Sequence, residues 1–206
     1  MNEEKEFVEA TEPETAPQPS SGGSVRVVFD VLEMFAWSVF AVLLLFTFAV
    51  RLCRVEGHSM ENTLYEGEKL LIWSVGYTPK QDDIVVFHLP EFEREEKIIV
   101  KRVIATGGQQ VVIDFNTNEI TVDGKLYNDQ YSVLKYPDGF YKDAPQHHYD
   151  ASTGIFSATV PEGQVFVLGD NRNNSLDSRR NEMQFIDERC ILGKAILRLS
   201  PFTVFS

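Results

Sequence analysis

Hydrophobic positions along this chain follow two different patterns. From Met34 to Val50, seventeen consecutive residues carry no charge (MFAWSVFAVLLLFTFAV). As a helix, such a run covers roughly 26 Å, close to the hydrocarbon thickness of a bilayer once flanking side chains snorkel. It is long for a core helix, and it lacks the basic flank and small-residue cleavage site of a secretory signal. The pattern predicts one transmembrane helix over roughly residues 30–52, with Trp37 near one interface.

From Val55 onwards the pattern becomes short β-branched and aromatic runs. Strands are predicted at 69–73, 83–89, 97–104, 110–114, 119–122, 164–168 and 195–199. Turn signals separate them, among them Glu66-Gly67, Gly107-Gly108, Asp123-Gly124 and Pro161-Glu162-Gly163. No long amphipathic helical pattern follows the apolar run, so the remainder is expected to be mainly β. Three regions result: a disordered acidic tail (1–24), an anchor helix (25–54) and a β-rich domain (55–206). Residues 125–158 of that domain, rich in Tyr, Asp and Gly, read as a less regular insertion or small subdomain.

Composition sharpens this picture in four places. Residues 1–24 hold six glutamates and one lysine, contributing −5 of the formal charge of −12, and include three prolines and a Ser/Gly run. Such a segment has too little apolar surface to offset the entropy of ordering. The acidic balance, with no Lys/Arg cluster, argues against a nucleic-acid partner. Cys53 and Cys190 form neither a CxxC pair nor a metal-ligand spacing and are read as two unpaired thiols. His147, His148 and Asp150 offer too few ligands at regular spacing for a metal site.

The chemistry centres on Ser59 and Lys101. A serine attacks a carbonyl only when something takes its proton, and a desolvated neutral lysine is one of the few side chains able to do so. In a strand, Lys101 shares a face with Ile99 and Val103 while Arg102 points the other way. An ammonium among branched aliphatics loses hydration, which favours the neutral amine. Taken alone, each residue has a plainer reading: an edge-strand lysine with its head in water, and a turn serine. Glu61 stands where a Gly-x-Ser-x-Gly elbow needs its second glycine, which argues against an α/β-hydrolase. Gly57 permits close backbone approach, and the Ser59 amide is a candidate oxyanion donor. The stretch 169–179, Gly-Asp-Asn-Arg-Asn-Asn-Ser-Leu-Asp-Ser-Arg, follows an apolar strand, and its Asp/Arg pairs suit bidentate locking of a loop.

Together these stretches resemble bacterial type I signal peptidases. Ser59-Met60 with Thr63-Leu64 is similar to that family's nucleophile box, and Lys101-Arg102-Val103-Ile104 to the box carrying the general base. Gly169-Asp170-Asn171-Arg172 through Arg179 is similar to its final signature, and Asp83-Ile84-Val85-Val86 to an intermediate strand. The resemblance implies a membrane-anchored serine endopeptidase with a coiled β-sheet catalytic domain and a small inserted subdomain. It implies Ser59 as nucleophile and Lys101 as general base, acting through an acyl-enzyme on the signal peptides of secreted pre-proteins. Ser175 would orient Lys101, and Asp177, Arg179, Asp170 and Arg172 would brace the site, with Gly57 and Met60 in the oxyanion and substrate vicinity. No metal or organic cofactor is needed. Asn62 replaces the family's proline, which suggests a looser turn after Ser59, and 105–109 depart from the family's Gly-Leu-Pro-Gly-Asp.

An apolar surface near the site is expected, with Met60, Trp73 and Phe87 as candidates, alongside the plainer reading that all three are core. Ser59 lies nine residues beyond Val50, within roughly 30 Å of the bilayer even if fully extended. Arg51 and Arg54 after the helix would by charge alone place the domain in the cytoplasm, whereas the resemblance implies the outer face of the cytoplasmic membrane. Two rivals stand beside the peptidase: a catalytically impaired, membrane-tethered binder of export substrates, and a self-cleaving serine–lysine repressor, which would be soluble and carry a DNA-binding segment.

Overall fold

The computed structural model describes residues 22–89, 97–128, 130–131, 147–180 and 183–205. Most of the acidic tail lies outside this set. The chain divides into two compact units, residues 1–43 and 44–206.

Helix α1 runs from Gly22 to Phe48. Its apolar stretch Val25–Thr47 is 23 residues long and wholly unburied, enough for roughly 34 Å at helical rise. The helix starts before the predicted position 30, adding Arg26 to the charged residues Asp30 and Glu33 of the predicted span. Within it, Trp37 Nε1 donates to Glu33 Oε1 at 3.4 Å and Ser38 Oγ to Met34 O at 2.8 Å.

The predicted helical end at residue 52 is corrected. After Ala49 the backbone becomes strand β1, Val50–Arg54, antiparallel to β2, Lys69–Trp73. Apolar content made the two elements read as one, but strand pairing satisfies the backbone where Val50 and Leu52 alternate with Arg51 and Cys53. The β domain therefore begins before Val55. β1 is the edge of its sheet, and Arg51, Leu52 and Arg54 are all exposed.

Ten strands follow β2 before the last: β3 Ile84–Leu89, β4 Lys97–Thr106, β5 Gln110–Asp114, β6 Glu119–Val122, β7 Lys125–Leu126, β8 His147–Asp150, β9 Ile155–Thr159, β10 Gln164–Leu168, β11 Ile186–Asp187 and β12 Ile191–Leu199. β13, Phe202–Val204, closes the chain. One sheet has the order β1-β2-β12-β3-β4-β10-β11 with β13 beside β12, and a second has the order β7-β6-β5-β9-β8. The segment 125–158 is thus not a separate body in its described parts. Its two ends supply β7, β8 and β9 to the second sheet, and 132–146 lie outside the described residues.

Period-two alternation sets the core. In β5 and β6, Val111, Ile113, Ile120 and Val122 point inward against Phe156 and Phe166. The Asp123-Gly124 turn joins β6 to β7, with φ of 51° and 73° at the two residues, the pair of positive values that a tight hairpin matching strand twist requires. β4 carries the alternation that matters for chemistry. Ile99 and Val103 pack with Val85, Phe87 and Val167, while Val100 packs with Met60 and Leu70 on the other side.

Candidate active site

Ser59 sits in a turn anchored by apolar residues. Met60 and Leu64 are buried in the cluster formed with Val55, Leu70 and Ile72. Leu64 N–H and Thr63 N–H donate to Met60 O at 2.8 and 3.0 Å. Asn62 has φ +84°, a left-handed conformation that asparagine tolerates and proline, fixed near −65°, does not adopt. The expected loosening is therefore not what the turn displays: Asn62 permits a different, hydrogen-bonded turn in which a proline has no place.

The final box clamps this turn from behind. Asn171 N–H donates to Ser59 O at 3.0 Å, and Asn171 Nδ2 donates to His58 O at 3.0 Å and Glu61 Oε2 at 3.3 Å. Gly169 is wedged between Ser59 O and the Ser175 side chain, so a methyl group there would collide with both. This glycine is demanded by close approach, not by a special dihedral. Pinning the carbonyl of Ser59 leaves its hydroxyl directed at β4. There Lys101, only 2 % exposed, places Nζ 2.5 Å from Ser59 Oγ. Lys101 shares its face with Ile99 and Val103, as the alternation predicts.

The pair opens into a cleft of about 480 Å³. Val55, Met60, Ile98, Val100 and Leu176 give it apolar walls, Gly57 (φ +77°) lies at its lip, and Glu56, His58 and Glu66 line its polar side. His58 Nδ1 is 2.6 Å from Glu61 Oε1. Of the apolar candidates, only Met60 lines this cleft. Phe87 is completely buried in the core on the inner side of β3, and Trp73 turns its indole N–H to Val75 O at 2.7 Å. Strand periodicity alone could not show which apolar face meets the nucleophile. Ile98, exposed, and Leu176 take the role assigned to the two aromatics.

The bracing residues form two buried ion pairs. Arg179 Nε and Nη2 each reach one oxygen of Asp177 at 2.8 Å, and Gly169 N–H donates to Asp177 Oδ2 at 3.2 Å. Asp170 pairs in the same forked way with Arg102 (2.8 Å at both oxygens), not with Arg172 as a loop-internal pairing would have it. Arg102 also donates to Asp82 O at 2.8 Å, and Arg172 contributes its carbonyl, accepting from Arg179 Nη2 at 2.5 Å. Burial pushes the Asp177 carboxyl upward, but Arg179's charge and hydrogen bonds outweigh it, with Ser175 adding to the net lowering. Burial likewise works against the Arg102 guanidinium, and the Asp170 carboxylate more than compensates, raising its pKa.

The Ser175 hydroxyl is buried and satisfies strict hydrogen-bond geometry with no neighbour, Lys101 included, although it lies near enough to Asp177 to affect its titration. Three contributors went unassigned in the sequence: Arg102 as the Asp170 partner, Asn171 as the clamp on Ser59, and Gly169 as the point of contact. The alternation that turned Arg102 away from Lys101 was the available signal. Nothing local identified what Arg102 would meet. Cys53 and Cys190 are both free thiols.

Comparison with known proteins agrees with the motif resemblance. A family model described as signal peptidase, peptidase S26, matches residues 28–200. The chain is similar to a probable signal peptidase I-1 of Synechocystis sp., 34 % identical over 171 residues, covering 79 % of this chain and 77 % of the relative. It is also similar to signal peptidase IB of Staphylococcus aureus, 32 % identical over 191 residues, covering 85 % and 93 %. Among solved structures, a signal peptidase I from Enterococcus faecalis aligns at 30 % identity with a TM-score of 0.41, over 57 % of this chain and 97 % of that one.

Proposed function

The chain belongs to the peptidase S26 family of signal peptidases, and from that membership we propose that it removes signal peptides from exported pre-proteins with Ser59 as nucleophile and Lys101 as general base. The observation that carries this reading is the 2.5 Å approach of Lys101 Nζ to Ser59 Oγ at the floor of an open cleft. A proton on a buried amine costs hydration energy, so Lys101 is suited to rest neutral and accept the hydroxyl proton as Ser59 attacks the scissile carbonyl. The tetrahedral oxyanion is held by backbone N–H, that of Ser59 being the candidate, since Gly57 brings no hydroxyl. Protonated Lys101 then gives its proton to the departing amine. Neutral again, Lys101 takes a proton from a water that attacks the acyl-enzyme and returns it to the Ser59 oxygen as the ester breaks, freeing Ser59. The chemistry uses protein groups throughout.

α1 serves in this reading as the single membrane anchor, its 23-residue stretch Val25–Thr47 matching the length a bilayer requires. The catalytic domain lies on the outer side of the cytoplasmic membrane. Ser59 follows the first strand closely, which suits a substrate whose cleavage site lies just beyond its own apolar segment.

Purified full-length protein in detergent is expected to cleave a pre-protein at the end of its signal peptide, and Ser59→Ala to yield no product in mass spectra of the same mixture. A parent that binds the pre-protein without cutting it would replace this reading with the tethered binder. Protease added to sealed right-side-out vesicles is expected to digest the β domain. Protection of that domain would reverse the assigned side.

A further inference from the structure

Tyr131 stands where three catalytic segments meet. It follows β7 in a stretch with no catalytic motif, yet its phenol oxygen accepts hydrogen bonds from Arg102 Nη2 at 3.0 Å and Gln130 Nε2 at 2.9 Å and shares a third, hydroxyl to hydroxyl, with Thr63 Oγ1 at 3.0 Å. Its ring lies beneath two guanidiniums, with the Arg102 and Arg172 Cζ atoms 5.1 and 5.6 Å from the centroid. Thr63 closes the turn that carries Ser59 through its N–H to Met60 O. Arg102 directly follows Lys101 and is forked onto Asp170. Arg172 belongs to the loop whose Asn171 holds the Ser59 carbonyl.

Resting on the serine–lysine reading above, we propose that Tyr131 is a positioning residue for proton transfer, setting the distance between the turn of Ser59 and the strand of Lys101. The two reacting groups come from segments 42 residues apart, and among the described residues no backbone ladder joins the Ser59 turn to β4. Arg102 is immobilised by Asp170 and Asp82 O, so it acts as a fixed post on the reverse face of the base strand. Tyr131 ties Thr63 to that post through one oxygen, and a tyrosine has few torsions through which the tie can slacken. A displacement of about 1 Å between reacting groups is enough to lower a rate by as much as 10²-fold.

Tyr131→Phe keeps the ring under both guanidiniums and removes the oxygen, and Thr63→Val removes the same bond from the other side at similar volume. Each is expected to lower kcat on a signal-peptide substrate by about five- to tenfold, in line with the loss of the Thr63–Tyr131 hydrogen bond that both changes remove, with KM unchanged. The double variant is expected to be no slower than either single one. Additive losses, or a folded Tyr131→Phe with parental kcat, would overturn the proposal. The same four proteins in urea are expected to show coupling of at least about twofold in the unfolding equilibrium, and absence of coupling overturns the link whether or not any substrate is cut. A parent inactive on every pre-protein would instead remove the peptidase reading, and the unfolding cycle would still decide whether Thr63 and Tyr131 act together.

Discussion

Lys101→Met is expected to lower cleavage by about 10³-fold or more while the protein stays folded. Methionine has nearly the volume of lysine and suits the apolar face shared with Ile99 and Val103. The loss would therefore report chemistry and not packing. Lys101→Arg is expected to be inactive too, because a guanidinium does not give up its proton near neutral pH. Combining Lys101→Met with Ser59→Ala should cost little beyond either change alone, since groups acting as one unit are far from additive. These comparisons need single-turnover cleavage alongside circular dichroism of each variant. Retention of activity within tenfold in Lys101→Met would mean that the base is elsewhere.

A second large effect is expected at Asp177. Its carboxylate is completely buried, and it is the forked partner of Arg179, itself 3 % exposed. Asp177→Asn preserves shape but leaves a buried guanidinium without its counter-charge, for which the expected loss is about 3–5 kcal/mol of stability in denaturant unfolding. The pH dependence has a definite sign. The Asp177 pKa in the folded protein lies below its ordinary value of 3.8, so the stabilisation is complete above that pH. It is lost as pH falls through the folded value. Half-buried Asp187, lowered to about 2 by its hydrogen bonds with Arg189, shifts in the same direction. The parent is thus expected to weaken progressively below about pH 4, and Asp177→Asn to show a flatter acid limb. An unchanged limb would remove Asp177 from this role.

Strand identity was legible wherever one face is buried and the other is not, as in β5 and β6, because alternation then fixes both element and register. The orientation of Lys101 was legible for the same reason. The junction of α1 and β1 was not, since a hydrophobic run does not record where helical pairing gives way to pairing with a strand some twenty residues later. The Asp170 partner was hidden for a related reason. Within the box, Arg172 is nearest in sequence, whereas Arg102 is brought in by the bulged pairing of β4 with β10, where Leu168 lies opposite Arg102. The site candidates Trp73 and Phe87 failed because apolar character indicates burial without saying on which side.

β1 gives Arg51 and Arg54 a purpose that hydropathy did not suggest. Both sit on the rim strand of a sheet whose outer backbone groups have no neighbouring strand among the described residues. Such a margin invites a second chain to dock, and cationic side chains deter it. The two arginines can therefore be retained as guards against self-association, on whichever side of a membrane the domain resides, and their bearing on topology is correspondingly small.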